Sequence, residues 1–103
     1  MENIIDKIRD ATASNALEVR LHARKRMAQR NIFYDDVCQV ILNGTVVEEY
    51  PAAYPYPGCL FMDFIGGEPL YAVCSWDGEK AYLITVHWMD PRKWIDPWTR
   101  RRE

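Results

Sequence analysis

The sequence predicts an α+β domain, in which N-terminal helices pack on a curled antiparallel sheet of four or more strands. Apolar residues follow the period of a helix before Gly44, and after it they follow the pattern of strands separated by turn residues. The length of 103 residues and the hydrophobic content of 49% suffice for one folded core. A single domain over residues 1–103 is therefore expected.

The first 31 residues hold two predicted helices. Isoleucines grouped on one face predict a short amphipathic helix over residues 2–11. Residues 17–21 alternate between apolar and charged side chains, which favours a short strand. A continuous helix over residues 15–30 is the second interpretation, because Ala, Leu, Glu and Arg favour helices. In both interpretations a basic helix ends at Asn31.

A third helix is predicted just before the strands. Asp35 and Asp36 place negative charge in its first turn, where the helix dipole favours anions. Valine and isoleucine side chains give residues 37–41 an apolar face, and Asn43-Gly44 is typical of a helix end.

Four strands are predicted after this helix. The proline-rich residues 51–58 are expected to form a rigid loop, since proline does not fit a central strand. Gly66-Gly67 and Asp77-Gly78 predict tight turns between antiparallel neighbours. The predicted strands are residues 45–50, 59–65, 69–76 and 80–88.

Within the single domain, residues 1–14 are expected to form an N-terminal helix, residues 15–94 the core and residues 95–103 a basic tail. No apolar run reaches the roughly 18 residues that a membrane span needs. Met1-Glu2-Asn3 does not resemble the basic start of a signal peptide. We therefore expect a cytoplasmic protein without membrane contact.

The three cysteines predict no metal or disulfide chemistry. Cys38, Cys59 and Cys74 are too far apart for a Cys-x-x-Cys motif and are expected to be reduced and mostly buried. Cys59 follows Pro57-Gly58 and is also a candidate nucleophile of a small hydrolase, although burial is the competing interpretation.

The charge distribution is uneven. The net charge is −2, which argues against long-range attraction to nucleic acid. Ten of the thirteen cations nevertheless lie in two zones, residues 20–30 and 92–102. Binding to RNA must therefore be local, or must depend on a large partner such as the ribosome.

The first basic zone predicts an anion site. His22, Arg26 and Arg30 are spaced at i, i+4 and i+8, so they share one face of a helix. Guanidinium groups match phosphate geometrically, and imidazole moves protons near neutral pH. A solvated helix face is the alternative.

These residue types suit metal-free cleavage of RNA, which needs a base, an acid and cations around the phosphate. Thr85 and His87 are two residues apart and so share one strand face, while Ile84, Val86 and Trp88 are expected on the other. Each of these residues also has a structural alternative, such as a helix cap, a core histidine, or an ion pair of Arg26 or Arg30 with Glu48, Glu49 or an aspartate across the sheet. The candidate catalytic residues are His22 as base, His87 as acid or second base, Arg26 and Arg30 as charge stabilisers, and Tyr71, Lys80 and Thr85 as supporting donors.

The second basic zone adds candidate RNA contacts. Tryptophan beside arginine can hold unpaired bases, whereas packing of Trp94 on the sheet is the alternative. The candidate RNA-binding residues are Arg24, Lys25, Arg92, Lys93 and Trp94. No spacing typical of a catalytic metal site, phosphate loop or serine elbow occurs, so neither a metal nor a cofactor is expected.

Several motifs together resemble a known family. They are the helix signature His22-Ala23-x-x-Arg26-Met27-x-x-Arg30-x-Ile32, the helix end Asn43-Gly44, the strand Val47-Glu48-x-Tyr50-Pro51, the segment Pro57-x-Cys59-Leu60 and the strand Ile84-Thr85-Val86, with Pro91 and Trp94 behind it.

Residues 17–94 are thereby similar to a small bacterial domain family of unknown function that is placed near the RelE-like toxins. The resemblance implies a RelE/barnase-like fold, association with toxin–antitoxin operons, and cleavage of messenger RNA without a metal. By position, His22, Arg26, Arg30 and Thr85 match the family. Two positions depart from it, since similar sequences often have histidine where this chain has Tyr71 and tyrosine where it has His87.

The resulting hypothesis is a metal-independent RNA-cleaving toxin whose partners are RNA, free or on the ribosome, and a small antitoxin protein. The alternative is a non-catalytic module on the same fold that binds protein or RNA. The acidic body and the tyrosine at position 71 favour the alternative.

Overall fold

The computed structural model describes residues 3–102, which form three helices and a five-stranded mixed sheet with an additional short hairpin. The helices are Ile4–Ala13 (α1), Leu21–Arg30 (α2) and Tyr34–Asn43 (α3). The sheet strands are Leu17–Val19 (β1), Thr45–Tyr50 (β2), Gly58–Ile65 (β3), Glu68–Trp76 (β4) and Ala81–Trp88 (β5). The hairpin strands are Trp94–Asp96 (β6) and Thr99–Arg100 (β7). The predicted α+β class is confirmed.

The strand order of the sheet is β1-β5-β4-β3-β2. Strands β2 to β5 form the predicted antiparallel meander, but β1 pairs parallel to β5. The prediction of a purely antiparallel sheet was therefore wrong at β1. Alternation of side chains fixes which face of a strand is buried, but it does not fix the direction of the neighbouring strand.

Backbone conformation and capping set the helix ends. Asn3 caps α1 by accepting hydrogen bonds from the amides of Ile5 and Asp6, while Glu2, where the predicted helix began, lies outside the described residues. Asn15 has a left-handed φ of 58°, which interrupts the continuous helix considered over residues 15–30. Asn31 ends α2 in the same conformation, as predicted.

Both faces of the sheet are covered. The three helices bury one face, to which Cys59 and Phe61 of β3 contribute. Leu60 and Met62 point the other way and pack with Tyr71 and Trp94 in a second cluster. This second face, the outer face, is covered in part by the β6–β7 hairpin. The expected basic tail thus contains ordered strands, whereas its last residue, Glu103, lies outside the described residues.

A β-bulge changes the outer face of β5. Val73 pairs with Thr85, and the next residue, Cys74, pairs with Leu83, so Ile84 is an extra residue in β5. Ile84 lines a cavity together with Val73 and Tyr82. It was expected to point away from the face of Thr85, and the bulge is the reason why it does not.

Helix α2 lies along the part of β5 that β1 leaves uncovered. Strand β1 pairs only with Ala81–Leu83. Beyond it, Arg30 Nη1 donates to the carbonyl oxygen of Val86 at 3.4 Å, and Trp88 Nε1 donates to the carbonyl oxygen of Arg30 at 3.0 Å. The basic helix is thereby fixed beside the end of the last sheet strand. No helix within residues 3–102 is long and apolar enough to cross a membrane.

The pairing of β3 with β4 leaves no room for a side chain at Gly58. A Cβ atom there would overlap with the carbonyl oxygen of Cys74. We expect Gly58→Ala to lower the free energy of unfolding by about 1–3 kcal/mol, measured by urea denaturation, because a strand must move to admit the methyl group.

The matched control is Gly66→Asn at the β3–β4 turn. Gly66 has a φ of 59°, which asparagine tolerates, and no atom lies within 4 Å of its Cβ position. If Gly58→Ala is no less stable than this control variant, the conclusion that β4 leaves no room for a side chain at Gly58 is wrong.

Candidate active site

A cavity of about 490 Å³ opens between α2, the end of β5 and the segment that leads into the hairpin. Five of the predicted catalytic residues line it: His22, Arg26, Arg30, Thr85 and His87. The other lining residues are Trp88, Asp90, Lys93 and Arg100. We name this cavity the cationic cavity. Both histidines of the chain thus face one hollow, although their chemical roles stay a prediction.

Helix α2 places three of these residues in a row. Ala23 is fully buried against the core, so the His22, Arg26 and Arg30 positions fall on a more exposed face. Arg26 Nε donates to His22 Nε2 at 3.5 Å. This hydrogen bond needs an unprotonated Nε2, which leaves the proton of a neutral His22 ring on Nδ1.

The cavity carries uncompensated positive charge. Arg26, Arg30 and Lys93 make no ion pair with any of residues 3–102. Arg100 is paired with Glu48 at 2.8 Å, and Asp90 is paired with Arg92 at 3.1 Å. The alternative pairing of Arg26 or Arg30 with Glu48, Glu49 or an aspartate is therefore wrong for the described residues. Three free cations around one hollow favour an anion with several oxygen atoms.

A column of stacked groups supports His87. Its ring stacks on Tyr71 of the neighbouring strand, with centroids 5.1 Å apart, and Tyr71 stacks on Trp94 at 4.6 Å. The guanidinium of Arg100 lies 4.4 Å from the centroid of the Trp94 ring. Tyr71 also donates its hydroxyl to the carbonyl oxygen of Pro97 at 2.7 Å. The hairpin is thus fixed to the sheet directly behind His87.

The surroundings of His87 disfavour its protonation. Burial is the main cause, followed by the cations Arg30, Lys93 and Arg100, and together they lower the pKa of His87 from its ordinary value of 6.5 to about 4. Asp90 opposes this shift. In the free protein at neutral pH, His87 is consequently neutral and can accept a proton but holds none to donate as an imidazolium.

Two predicted catalytic residues lie outside the cavity. Tyr71 is fully buried behind His87, burial raises its pKa to about 12, and its hydroxyl is used by Pro97. Lys80 lies at the opposite end of β5, where its ammonium is 3.8 Å from Glu18. Lys80 is seven residues before His87, which corresponds to roughly 20 Å along a strand. The supporting role predicted for Lys80 is therefore wrong, and Tyr71 can only act through His87.

The candidate RNA-binding residues lie in different parts of the structure. Lys93 lines the cationic cavity, whereas Arg92 binds Asp90. Trp94 is 1% exposed, so its assignment to base stacking is wrong and the alternative of packing on the sheet is correct.

Arg24 and Lys25 do not line the cationic cavity. Arg24 donates to the carbonyl oxygen of Val19 and borders a different cavity with Met27. Lys25 is exposed on α2. Conversely, the sequence analysis missed Arg100 and Asp90. The dipeptides Asp90-Pro91 and Asp96-Pro97 indicate turns after β5, but they do not indicate which residues these turns bring to the cavity.

The nucleophilic role considered for Cys59 is excluded by its surroundings. Cys59 and its strand partner Cys74 are fully buried, as expected for them, and burial raises the pKa of Cys59 to about 12. A thiol that stays protonated and out of contact with solvent does not attack a substrate.

Comparison with known proteins gives a family. Residues 19–88 match the family described as a domain of unknown function, DUF4258, and the chain belongs to this family. The matched region ends at Trp88 and so contains the α2 and β5 residues of the cationic cavity, while Asp90, Lys93 and Arg100 follow it. No curated protein and no solved structure matches the chain.

The low proton affinity of His87 makes stability depend on pH. The unfolded chain binds a proton at this side chain near pH 6.5, but the folded chain does so only near pH 4, so the free energy of unfolding falls as the pH drops from about 6.5 to 4. We expect His87→Gln to reduce the slope of the free energy of unfolding against pH in this range, by an amount that corresponds to the uptake of up to about one proton on unfolding. The slope is measured by urea denaturation at several pH values.

The difference between wild type and His87→Gln should stay constant above pH 7.5, where His87 is neutral in both states. An unchanged slope between pH 4 and 6.5 would show that His87 protonates normally in the folded protein.

Proposed function

We propose that this member of the DUF4258 family is a metal-independent RNA-cleaving toxin of a bacterial toxin–antitoxin pair, and that the cationic cavity is its active site. The observation that carries the proposal is the presence of both histidines, two free arginines and a hydroxyl around one hollow. We further propose a RelE/barnase-like fold, a cytoplasmic location, and RNA and a small antitoxin protein as partners.

In the proposed reaction, the phosphate lies among Arg26, Arg30 and Lys93. It competes with His22 for the guanidinium of Arg26, which is held by a long hydrogen bond of 3.5 Å. His22 Nε2 is then free to accept the proton of the ribose 2′-hydroxyl, whose oxygen attacks the phosphorus atom. The bond to the 5′-oxygen breaks, and the arginines stabilise the extra negative charge.

His87 supplies the proton for the leaving 5′-oxygen. A bound phosphate offsets the positive charge of Arg30, Lys93 and Arg100, which helps to hold the pKa of His87 low in the free protein. The pKa therefore rises when the substrate binds, and the imidazole becomes able to carry the proton. The products are a 2′,3′-cyclic phosphate and a 5′-hydroxyl, and the histidines recover their proton states from water.

We expect the purified chain to shorten single-stranded RNA in the presence of a chelator. His22→Ala should lower the cleavage rate by about 10²- to 10⁴-fold through loss of the base. Arg30→Ala should lower it by about 10²- to 10³-fold through loss of charge stabilisation. Rates are measured on a labelled oligonucleotide by gel electrophoresis, with thermal unfolding as the check that each variant is folded.

Lys80→Ala is the matched control, since it removes a cation that lies just before β5, away from the cavity, and should leave the rate unchanged. Induced expression of the wild-type chain should arrest growth, and expression of the double variant His22→Ala/His87→Ala should not. Intact RNA after long incubation, together with normal growth, would refute the proposal.

The non-catalytic alternative is favoured by the low pKa of His87, which disfavours the imidazolium that would donate the proton. If no bound anion restores its protonation, the cavity binds phosphate without an acid to complete cleavage. In the same assay such a module retards the RNA without shortening it, and Arg30→Ala weakens that retardation.

A further inference from the structure

A second cavity of about 510 Å³ lies on the outer face of the sheet and is rich in tyrosine. Tyr54 and Tyr56 from the loop after β2 line it, together with Tyr50 and Tyr82. We name it the tyrosine groove. Tyr54 is 96% exposed and Tyr56 is 44% exposed, so two rings of the loop are available to a ligand.

The tyrosine groove lies next to the cationic cavity along β5. Thr85, which lines the cationic cavity, pairs across the strands with Val73 and follows Ile84 in the chain, and both of these line the groove. The bulge at Ile84 is what brings these neighbours to the same face. From Thr85 to Tyr82 the distance is roughly 10 Å along the strand.

The groove also has the charge and shape for a planar ligand attached to an anion. Arg20 is the only charged residue among its lining residues, and its guanidinium lies 5.4 Å from the ring centroid of Tyr82. The Tyr56 and Tyr82 rings stack on each other, with centroids 6.5 Å apart and ring planes inclined by only 10°. Nearly parallel rings offer a flat ligand a common stacking direction, and Arg20 offers a contact for a phosphate.

Prolines hold the loop that carries the exposed tyrosines. Pro55 lies between Tyr54 and Tyr56, and Pro51 and Pro57 lie at the two ends of the loop. Because proline restricts the backbone, less conformational entropy is lost when a ligand contacts this loop.

We propose that the tyrosine groove binds unpaired bases of the same RNA strand whose phosphate occupies the cationic cavity. The inference rests on the proposed function for the nature of the strand, but it does not need cleavage. A base stacks on the exposed tyrosines, and Arg20 contacts the backbone between the base and the reacting phosphate. The cationic cavity would then recognise any phosphate, while the groove makes the chain select single-stranded over paired RNA.

The test measures binding with an RNA that cannot be cut. A fluorescein-labelled hexanucleotide with 2′-O-methyl groups at every ribose is titrated with the full chain, and fluorescence anisotropy gives the dissociation constant. We expect Tyr54→Ala/Tyr56→Ala to weaken binding about 5- to 100-fold, the effect of losing one or two stacked bases.

Matched variants separate stacking from other effects. Tyr54→Phe/Tyr56→Phe keeps both rings and should bind as the wild type does. Phe33→Ala removes a ring that is 64% exposed but lies before α3, outside the groove, and should also leave binding unchanged. Thermal unfolding shows that the variants are folded.

A double-mutant cycle identifies the contact itself. The same strand is made with abasic residues in its 5′ half or in its 3′ half. For one of these strands, the loss of binding free energy caused by removing the bases and the loss caused by removing the tyrosines should not be additive, because both changes remove the same contact.

Each outcome of these measurements either supports or overturns the binding of bases in the groove. Base-dependent binding that is lost in the alanine variant, without cleavage of unmodified RNA, supports the groove and refutes the proposed cleavage. Cleavage with unchanged binding of the alanine variant overturns the groove and keeps the proposed function. The proposed role of the groove is also overturned if the wild-type chain does not bind the hexanucleotide, or if it binds the abasic strands equally well. Use of this surface by a protein partner instead of RNA would overturn it as well.

Discussion

The shortness of β1 is the constraint on which the site depends. Since β1 pairs with only three residues of β5, the later part of that strand has free backbone groups at its edge. Helix α2 satisfies part of this edge through Arg30 and also accepts a hydrogen bond from Trp88. A longer β1 would occupy this edge, and the face of α2 with His22 and Arg26 would then lie away from Thr85 and His87.

The second requirement is that Arg30 and Lys93 lie near His87 without a carboxylate partner among the described residues. Asp90 lines the cavity but is paired with Arg92 at 3.1 Å, and Glu48 is paired with Arg100 at 2.8 Å. The remaining positive charge disfavours protonation of the imidazole and favours an anion. The same cations therefore add to the effect of burial in lowering the pKa of His87 and support the affinity proposed for phosphate, so the two properties are linked.

The sequence predicted the parts of this structure that local patterns encode. Helical spacing located α2 with its row of His22, Arg26 and Arg30, and alternation located the four strands of the meander. The direction of β1, the bulge at Ile84 and the hairpin that brings Arg100 to the cavity depend on contacts between distant segments, for which a single sequence has no local signal. Lys80 illustrates the same limit of a single sequence. The sequence placed Lys80 at the start of the last predicted strand, but it did not indicate that the cavity lies at the other end of that strand.

The resemblance predicts histidine at position 71 and tyrosine at position 87 in similar sequences, and the structure shows how these two positions are related. Tyr71 and His87 are directly opposite each other on β4 and β5, and their rings stack at 5.1 Å. An exchange of histidine and tyrosine between these positions keeps both rings in the same pair. It would also move the imidazole from β4 to β5, the strand beside α2, where His22 and the arginines without an ion pair lie. Such an exchange would place the ring that can change its protonation state at the cavity, and would leave the tyrosine as the support on which it stacks.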